Sequence, residues 1–306
     1  MKLLVTGASG YLGTHLCARL EREHHEVSRL STSNGDLRDP NALNQFNGQK
    51  FNRIYHLAAW TQAGDFCLKH SGDQWVINQQ INTHVLSWWL ERQPQAKLIA
   101  MGSSCCYAPE ADLHEENFMK SEPIDSLFTY AMTKRMLYAG LMALNRQYGL
   151  NYLCLVPSTL YGSGYHLAGR QMHFIFDIIR KIVDAKQNGT EVVLWGDGYQ
   201  KRELIYMDDF LDAMFYLSGH VQNELVNIGG GKEYTIREFA SFICEIVGYD
   251  QELIRYDPSR YVGARSKVLI IEKLFSLMPS FQHTPLQKGL RQTIEWYLNA
   301  RQSIQV

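Results

Sequence analysis

No run of like charges occurs in this 306-residue sequence, and its 30 Lys and Arg nearly balance its 31 Asp and Glu. Without a basic field nothing gathers phosphate backbones, so nucleic acid is not an expected partner. No apolar stretch is long enough to span a bilayer, and the apolar start reaches Gly7 too soon for a signal peptide. No membrane partner is expected. Cysteine is sparse: there are six, at positions 17, 67, 105, 106, 154 and 244, without CxxC spacing or disulfide-framework density. That usage points to a reduced, cytoplasmic protein. No residues have metal-ligand spacing, so no metal is expected. Repeats and low-complexity tracts are absent too.

What the sequence does have is a rhythm. From Lys2 to about Val156, short β-rich apolar runs alternate with longer amphipathic segments, the pattern of βαβ units on a parallel sheet. Strands are predicted at Lys2–Thr6, Glu26–Leu30, Asn52–Leu57, Lys97–Gly102 and Asn151–Val156, and helices at Gly10–Arg22, Asp73–Arg92 and Phe128–Tyr148. Beyond Pro157, a Gly- and His-containing loop leads to a helix near Gln171–Lys186 and strands at Glu191–Leu194 and Glu203–Tyr206. A helix near Asp209–Ser218 and the strand Leu225–Ile228 then return to the sheet, and Thr235–Val247 and Leu286–Leu298 supply further helices. The expected fold class is α/β, a Rossmann-type doubly wound parallel sheet with a smaller mixed C-terminal substrate-binding lobe. Residues 1–160 would form the dinucleotide-binding domain, with return segments near 203–228, and residues 161–306 mainly the second lobe. Leu86, Trp88, Trp89 and Leu90 read as core or subunit contact rather than ligand site.

Gly7-Ala8-Ser9-Gly10-Tyr11-Leu12-Gly13 follows the first strand and opens the first helix. Glycines there let the backbone turn sharply, approach a pyrophosphate and pack helix on strand, while the helix N-terminus offers free N–H groups. After the second strand no acid stands ready for a free ribose hydroxyl. Arg29 therefore favours a 2′-phosphate, so NADP(H) is preferred, with NAD(H) possible. Asp36 and Leu37, in the next loop, would border the adenine.

Gly102-Ser103-Ser104-Cys105-Cys106-Tyr107 and Thr129-Tyr130-Ala131-Met132-Thr133-Lys134 offer a hydroxyl, a phenol, an ammonium and a thiol to one site. If the first stretch ends a strand, Ser103 and Cys105 share a face, while Cys106 turns to the core. On a helix Tyr130 and Lys134 are adjacent, and the ammonium should lower the phenol's pKa toward neutral. Such a pair serves carbonyl and alcohol chemistry as acid and base.

These residues resemble the extended branch of the short-chain dehydrogenase/reductase family, whose members act on nucleotide sugars. A narrower likeness, to the GDP-L-fucose synthase family of 3,5-epimerase/4-reductases, rests on several stretches. They include Gly102-Ser103-Ser104-Cys105, Leu160-Tyr161-Gly162, Val192-Val193-Leu194-Trp195-Gly196-Asp197-Gly198, Arg202-Glu203-Leu204 and Thr235-Ile236-Arg237-Glu238. The resemblance implies that Ser103, Tyr130 and Lys134 serve reduction and that Cys105 and His173 serve epimerisation. Cys105 would be the base, and His173, near its ordinary pKa, would return a proton from the other face of the sugar. It further implies a cofactor shell of Gly7, Ser9, Gly10, Tyr11, Leu12 and Gly13, joined by Leu57, Ala58 and Ala59 and by Pro157, Thr159 and Leu160. Ser104, Lys181, Trp195, Arg202 and Lys267 would hold the substrate, the last four at its nucleoside diphosphate. The implied activity is NADPH-dependent 3,5-epimerisation and 4-reduction of a nucleotide 4-keto-6-deoxy-sugar, with GDP as the expected nucleotide. The implied assembly is a homodimer. Two alternatives are an epimerase without net reduction and a non-enzymatic dinucleotide-binding regulator. Asp-Glu would replace Cys105-Cys106 in a 4,6-dehydratase. The chain departs from the narrower pattern at Ala8 and Ser9, at Trp60-Thr61-Gln62-Ala63-Gly64 and at Thr159, all in loops that face the sugar and nicotinamide in that family.

Overall fold

Six parallel strands frame the molecule in the computed structural model, which describes residues 1–167, 171–260 and 264–304. In chain order the first half runs β1 (Lys2–Thr6), α1 (Tyr11–Arg22), β2 (Glu26–Leu30), β3 (Arg53–His56), α2 (Phe66–Lys69), α3 (Ser71–Arg92), β4 (Lys97–Met101), α4 (Phe128–Tyr148) and β5 (Tyr152–Pro157). The second half continues with β6 (Thr159–Tyr161), α5 (Phe174–Asn188), β7 (Val192–Trp195), β8 (Lys201–Tyr206), α6 (Met207–His220), β9 (Glu224–Ile228), β10 (Glu233–Thr235), α7 (Ile236–Val247), β11 (Ile254–Asp257), α8 (Glu272–Leu277) and α9 (Leu286–Ile304). The main sheet has the order β2-β1-β3-β4-β5-β9 and is parallel throughout. Strands covered by helices on both faces must be apolar along their whole length, and β4 is buried at every residue. Strand order reverses beside β1, so the carboxyl ends of β1 and β3 open a crevice at a topological switch point.

The rest of the chain builds smaller sheets. β10 pairs antiparallel with β8, which pairs parallel with β6, and β11 lies parallel to β7. Of the segments between 203 and 228, β9 joins the main sheet, whereas β8 belongs to the mixed one. α7 is the most sharply amphipathic helix of this half and starts on a capping box. The Thr235 hydroxyl accepts from the Glu238 N–H, and the Glu238 carboxylate accepts in return from the Thr235 N–H. One core packs around the main sheet through Leu3, Leu4, Val85 and Trp89; a second, beneath α5, α7 and α9, holds Ile175, Ile179, Phe239 and Ile294. Trp88 and Trp89 are both core residues, with Leu86 and Leu90 packed against them.

Candidate active site

At the crevice the glycines are demanded by contact. Gly7 has φ +69°, and a Cβ there would lie 2.7 Å from the Ala58 nitrogen. A Cβ on Gly13 would lie 2.2 Å from the Gly7 carbonyl oxygen. Loop, helix and the Leu57-Ala58-Ala59 segment therefore meet backbone to backbone. Gly10 caps α1 without a side-chain hydrogen bond, so no side chain occupies the first-turn N–H groups, and Ser9 beside it is exposed. This cradle fits a dinucleotide pyrophosphate. Leu57 donates its N–H to the Thr6 carbonyl, and the Thr6 hydroxyl bonds Nδ1 of His56 at 2.8 Å. His56 continues to Asn82, whose amide donates to the Thr133 carbonyl on α4. Burial pushes the His56 pKa down to about 4, so a neutral imidazole links β1, β3, α3 and α4 under the site. Tyr11, the first residue of α1, packs edge-on against Tyr165, and its hydroxyl is buried with no hydrogen-bond partner among the described residues. Leu12 packs on the core beside it. Pro157 ends β5, and Thr159 and Leu160 begin β6 at the far side of the crevice.

Arg29, at the end of β2, is paired with a carboxylate of α1. Its guanidinium donates two hydrogen bonds to Glu21, at 2.6 and 3.1 Å. Glu21 sits eleven residues past Gly10, roughly 16 Å along a helix at ~1.5 Å per residue. A side chain held there is drawn away from the phosphate end of α1. A 2′-phosphate engaging Arg29 would have to draw it from that exposed ion pair, which the sequence spacing did not reveal. Asp36 is bound to Arg38, and Leu37 is buried with its carbonyl bonded to His84.

The two chemistry-bearing stretches do meet, through α4. Arg135 is buried and donates to the carbonyls of Cys106, Lys120 and Ser121, and the Cys106 thiol donates to the Ala131 carbonyl. The strand ends at Met101, and Ser104–Cys106 is a 3-10 turn capped by Ser103, whose hydroxyl accepts from the Cys105 N–H at 3.2 Å. Two-residue strand parity therefore does not apply, although Cys105 is half-buried and Cys106 fully buried. The turn separates them instead. Ser104, half-buried, begins that turn.

Tyr130 and Lys134 stand one helical turn apart, with the ammonium 5.9 Å from the phenol ring centroid. The ammonium does not bring the phenol toward neutrality. Burial, followed by the sulfurs of Cys105, Cys106 and Cys67, raises the Tyr130 pKa well above its ordinary value, and a Ser103 hydrogen bond offsets only part of that. Burial likewise lowers the pKa of Lys134, which is 7% exposed. In this enclosure desolvation outweighs the attraction between neighbours, so the phenol stays protonated and can donate a proton.

Cys105 behaves oppositely. Burial raises its pKa, but the Lys267 ammonium, hydrogen bonds from Ser103 and Lys267, and Arg202 together outweigh it, and the thiol falls below its ordinary range. The Lys267 ammonium donates to the Cys105 sulfur at 3.1 Å. Lys267, expected at a diphosphate, is thus at the thiol, 162 residues away in sequence. Two further residues escaped the sequence reading. Cys67 is close enough to Cys105 and Tyr130 to raise the pKa of the phenol. Glu203, noted only within the Arg202-Glu203-Leu204 likeness, is 3% exposed and accepts N–H bonds from Gly231 and Leu269.

His173 caps α5 and donates its backbone N–H to the Tyr165 hydroxyl. The residue is exposed at the start of that helix, with the Tyr165 ring 6.2 Å away between centroids. Desolvation of the ring, then His166, pushes its pKa down to about 4. The expectation of an ordinary imidazole pKa is corrected: at neutral pH His173 is uncharged and accepts a proton. On the same lobe Lys181 is engaged with Asp177 at 2.8 Å and with the Val193 carbonyl, below the exposed Trp195 ring. Arg202 donates to the Lys201 and Ala264 carbonyls.

The NAD-dependent epimerase/dehydratase family model matches residues 3–229. The chain is 30% identical to the GDP-L-colitose synthase of Yersinia pseudotuberculosis over 98% of its own length and 99% of that protein's. It is 31% identical to GDP-L-fucose synthase 1 of Arabidopsis thaliana, over 97% of its own length and 93% of that protein's. Among solved structures, the GDP-L-fucose synthetase of Naegleria fowleri bound to NADP superposes with a TM-score of 0.85 at 23% identity, over 99% of this chain and 95% of that one. At that identity the likeness speaks for the fold.

Proposed function

The chain belongs to the NAD-dependent epimerase/dehydratase family, and from that premise we propose an NADPH-dependent 3,5-epimerase/4-reductase of a GDP-linked 4-keto-6-deoxy-sugar. One observation carries the reading: a protonated phenol, its serine partner and a buried lysine share a site with a thiol whose pKa is lowered by its surroundings. The relatives named above, which carry GDP-sugar synthase activities in their names, support the nucleotide, and the NADP-bound neighbour supports the cofactor. Gly7, Gly10 and Gly13 would hold the dinucleotide's pyrophosphate, and when bound NADPH supplies hydride. Residues 1–160 with their return strand would form the cofactor domain, and the remainder would cover the sugar nucleotide.

A 4-keto group acidifies the protons at C3 and C5. Cys105, as thiolate, would take one of them, its electron pair passing into an enolate whose oxygen receives hydrogen bonds from Ser103 and Tyr130. From the opposite face His173, having first taken a proton from solvent, would deliver it to the same carbon, leaving Cys105 as a thiol and His173 as a neutral imidazole. Tyr130 would finally protonate the C4 oxygen. Six free cysteines, five of them buried, support a reducing cytoplasm as the setting. Val76 (54% exposed) on α3 and Met136 (43% exposed) on α4 support a homodimer through that helix pair.

Incubation with GDP-4-keto-6-deoxymannose and NADPH should consume NADPH absorbance. Tyr130→Phe should lower turnover by roughly 10²–10⁴-fold with NADPH affinity retained. No NADPH loss with the native protein would refute the reductase reading. Deuterium uptake at C3 and C5 without NADPH loss would identify an epimerase instead.

A further inference from the structure

Resting on the reading of Cys105 as the base, we infer that Lys267 is the residue that positions and charges that base, holding Cys105 as a thiolate within a thiolate–ammonium pair. The 3.1 Å contact between Nζ and Sγ is direct and lies in a half-buried site, where an ion pair is weakly screened. No part of the Lys267 side chain needs to touch the sugar for this role.

Its placement is built rather than incidental. The Lys267 backbone N–H donates to Glu233 at 3.3 Å, and the neighbouring Ser266 hydroxyl donates to the same carboxylate at 2.6 Å. Two residues on, the Leu269 N–H donates to Glu203 at 3.0 Å, and Ile270 donates to the Leu113 carbonyl. The segment is therefore fixed on both sides of the lysine. Around the sulfur, Lys267 and Arg202 favour the thiolate, the Ser103 hydroxyl bonds to it, and Cys67, Cys106 and Tyr130 are further titratable neighbours among the described residues. The last three have their pKa values raised by burial, so the charge that lowers that of the Cys105 thiol comes from Lys267 first and then Arg202. When the thiolate takes a proton from carbon it becomes a thiol, the electron pair remains on the sugar, and Lys267 keeps its proton throughout. No oxidation is involved.

The test reads the thiol directly. The rate of iodoacetamide alkylation of Cys105, assigned by peptide mass, is followed from pH 5 to 10 in the native protein, Lys267→Met and Lys267→Arg. The other five cysteines are buried. The native midpoint should lie below ~8.5, the value of a free thiol. Lys267→Met should raise it by about one unit and slow alkylation near pH 7 about tenfold, whereas Lys267→Arg should keep it near the native value. A native midpoint at or above ~8.5, or an unmoved midpoint in Lys267→Met, would overturn the inference. Because Lys267→Arg preserves the charge, loss of the low midpoint in both variants would also overturn it, pointing to disrupted packing. Deuterium uptake into the keto sugar tests the functional reading separately: a native protein that shows the alkylation shift but no uptake keeps the ion pair and loses the epimerase.

Discussion

Replacing Glu203 by glutamine should reverse the sign of a stability difference between acid and mildly alkaline pH. The carboxyl is buried in β8 and wrapped by the Gly229-Gly230-Gly231 loop so closely that a Cβ on Gly229 would lie 2.3 Å from Oε1. Backbone N–H groups of Gly231, Leu269 and Gly230 favour its ionised form, but burial outweighs them and raises its pKa from 4.5 to about 7. No cation among the described residues forms an ion pair with it. The folded state thus binds a proton that the unfolded state has already released between pH 4.5 and 7. Stability from this group is intact below the lower value and is lost as pH rises through the higher one. At ~1.4 kcal/mol per unit of pKa the whole window amounts to about 3 kcal/mol. Glutamine does not titrate, but it offers one acceptor oxygen to several donors and should cost about 1–2 kcal/mol at low pH. Glu203→Gln should accordingly be less stable than the native protein near pH 5 and more stable by about 1–2 kcal/mol near pH 8. His56, lowered to about 4, works in the other direction, its contribution falling away as pH drops from 6.5. It is common to both proteins and cancels in the difference. Urea unfolding at the two pH values measures the effect, and a difference that does not change with pH refutes the argument.

Arg29→Ala should leave the NADPH KM within about twofold, because the guanidinium is already committed to Glu21; a tenfold rise would restore Arg29 as the 2′-phosphate ligand. Gly13→Ala drives a methyl to 2.2 Å from the Gly7 carbonyl, which cannot yield without opening the loop, whereas the same change at Gly10 comes only to 3.2 Å. Fluorescence titration with NADPH should show affinity reduced at least tenfold in Gly13→Ala and much less in Gly10→Ala, and equal affinities would contradict the close-packing argument.

The parts of the fold that could be read from sequence are those whose period is long. β1, β2 and α4 have the ends expected of them, since a short β-rich run before a glycine or turn and a long amphipathic repeat each leave little freedom. β6 and β10, of three residues, carry no period of their own, and β11, Ile-Arg-Tyr-Asp, lacks the unbroken apolar run that marks the equally short β7. The site divides the same way. Tyr130 and Lys134 are neighbours by helical spacing alone, a local fact. Lys267 beside Cys105 and Glu203 beneath Leu269 are long-range pairings, which one sequence does not encode in any spacing. Arg29 is the complementary case: its charge was legible, but the carboxylate it pairs with was not.

Cys105 and Cys106 put the matter most sharply, since the same side chain stands at adjacent positions with opposite properties. Cys106 is 0% exposed, donates to a carbonyl of α4, and is raised far above the ordinary thiol range, first by burial and then by Cys105 itself. It is inert packing. One residue earlier, a single turn of 3-10 backbone brings Cys105 to Lys267 and within the field of Arg202, and the balance changes sign. The turn holds this division because Arg135 fixes the Cys106 carbonyl from α4, the helix that also carries Tyr130 and Lys134. Reactivity at position 105 is therefore a property of three elements meeting, and the inertness of position 106 is what anchors the meeting point.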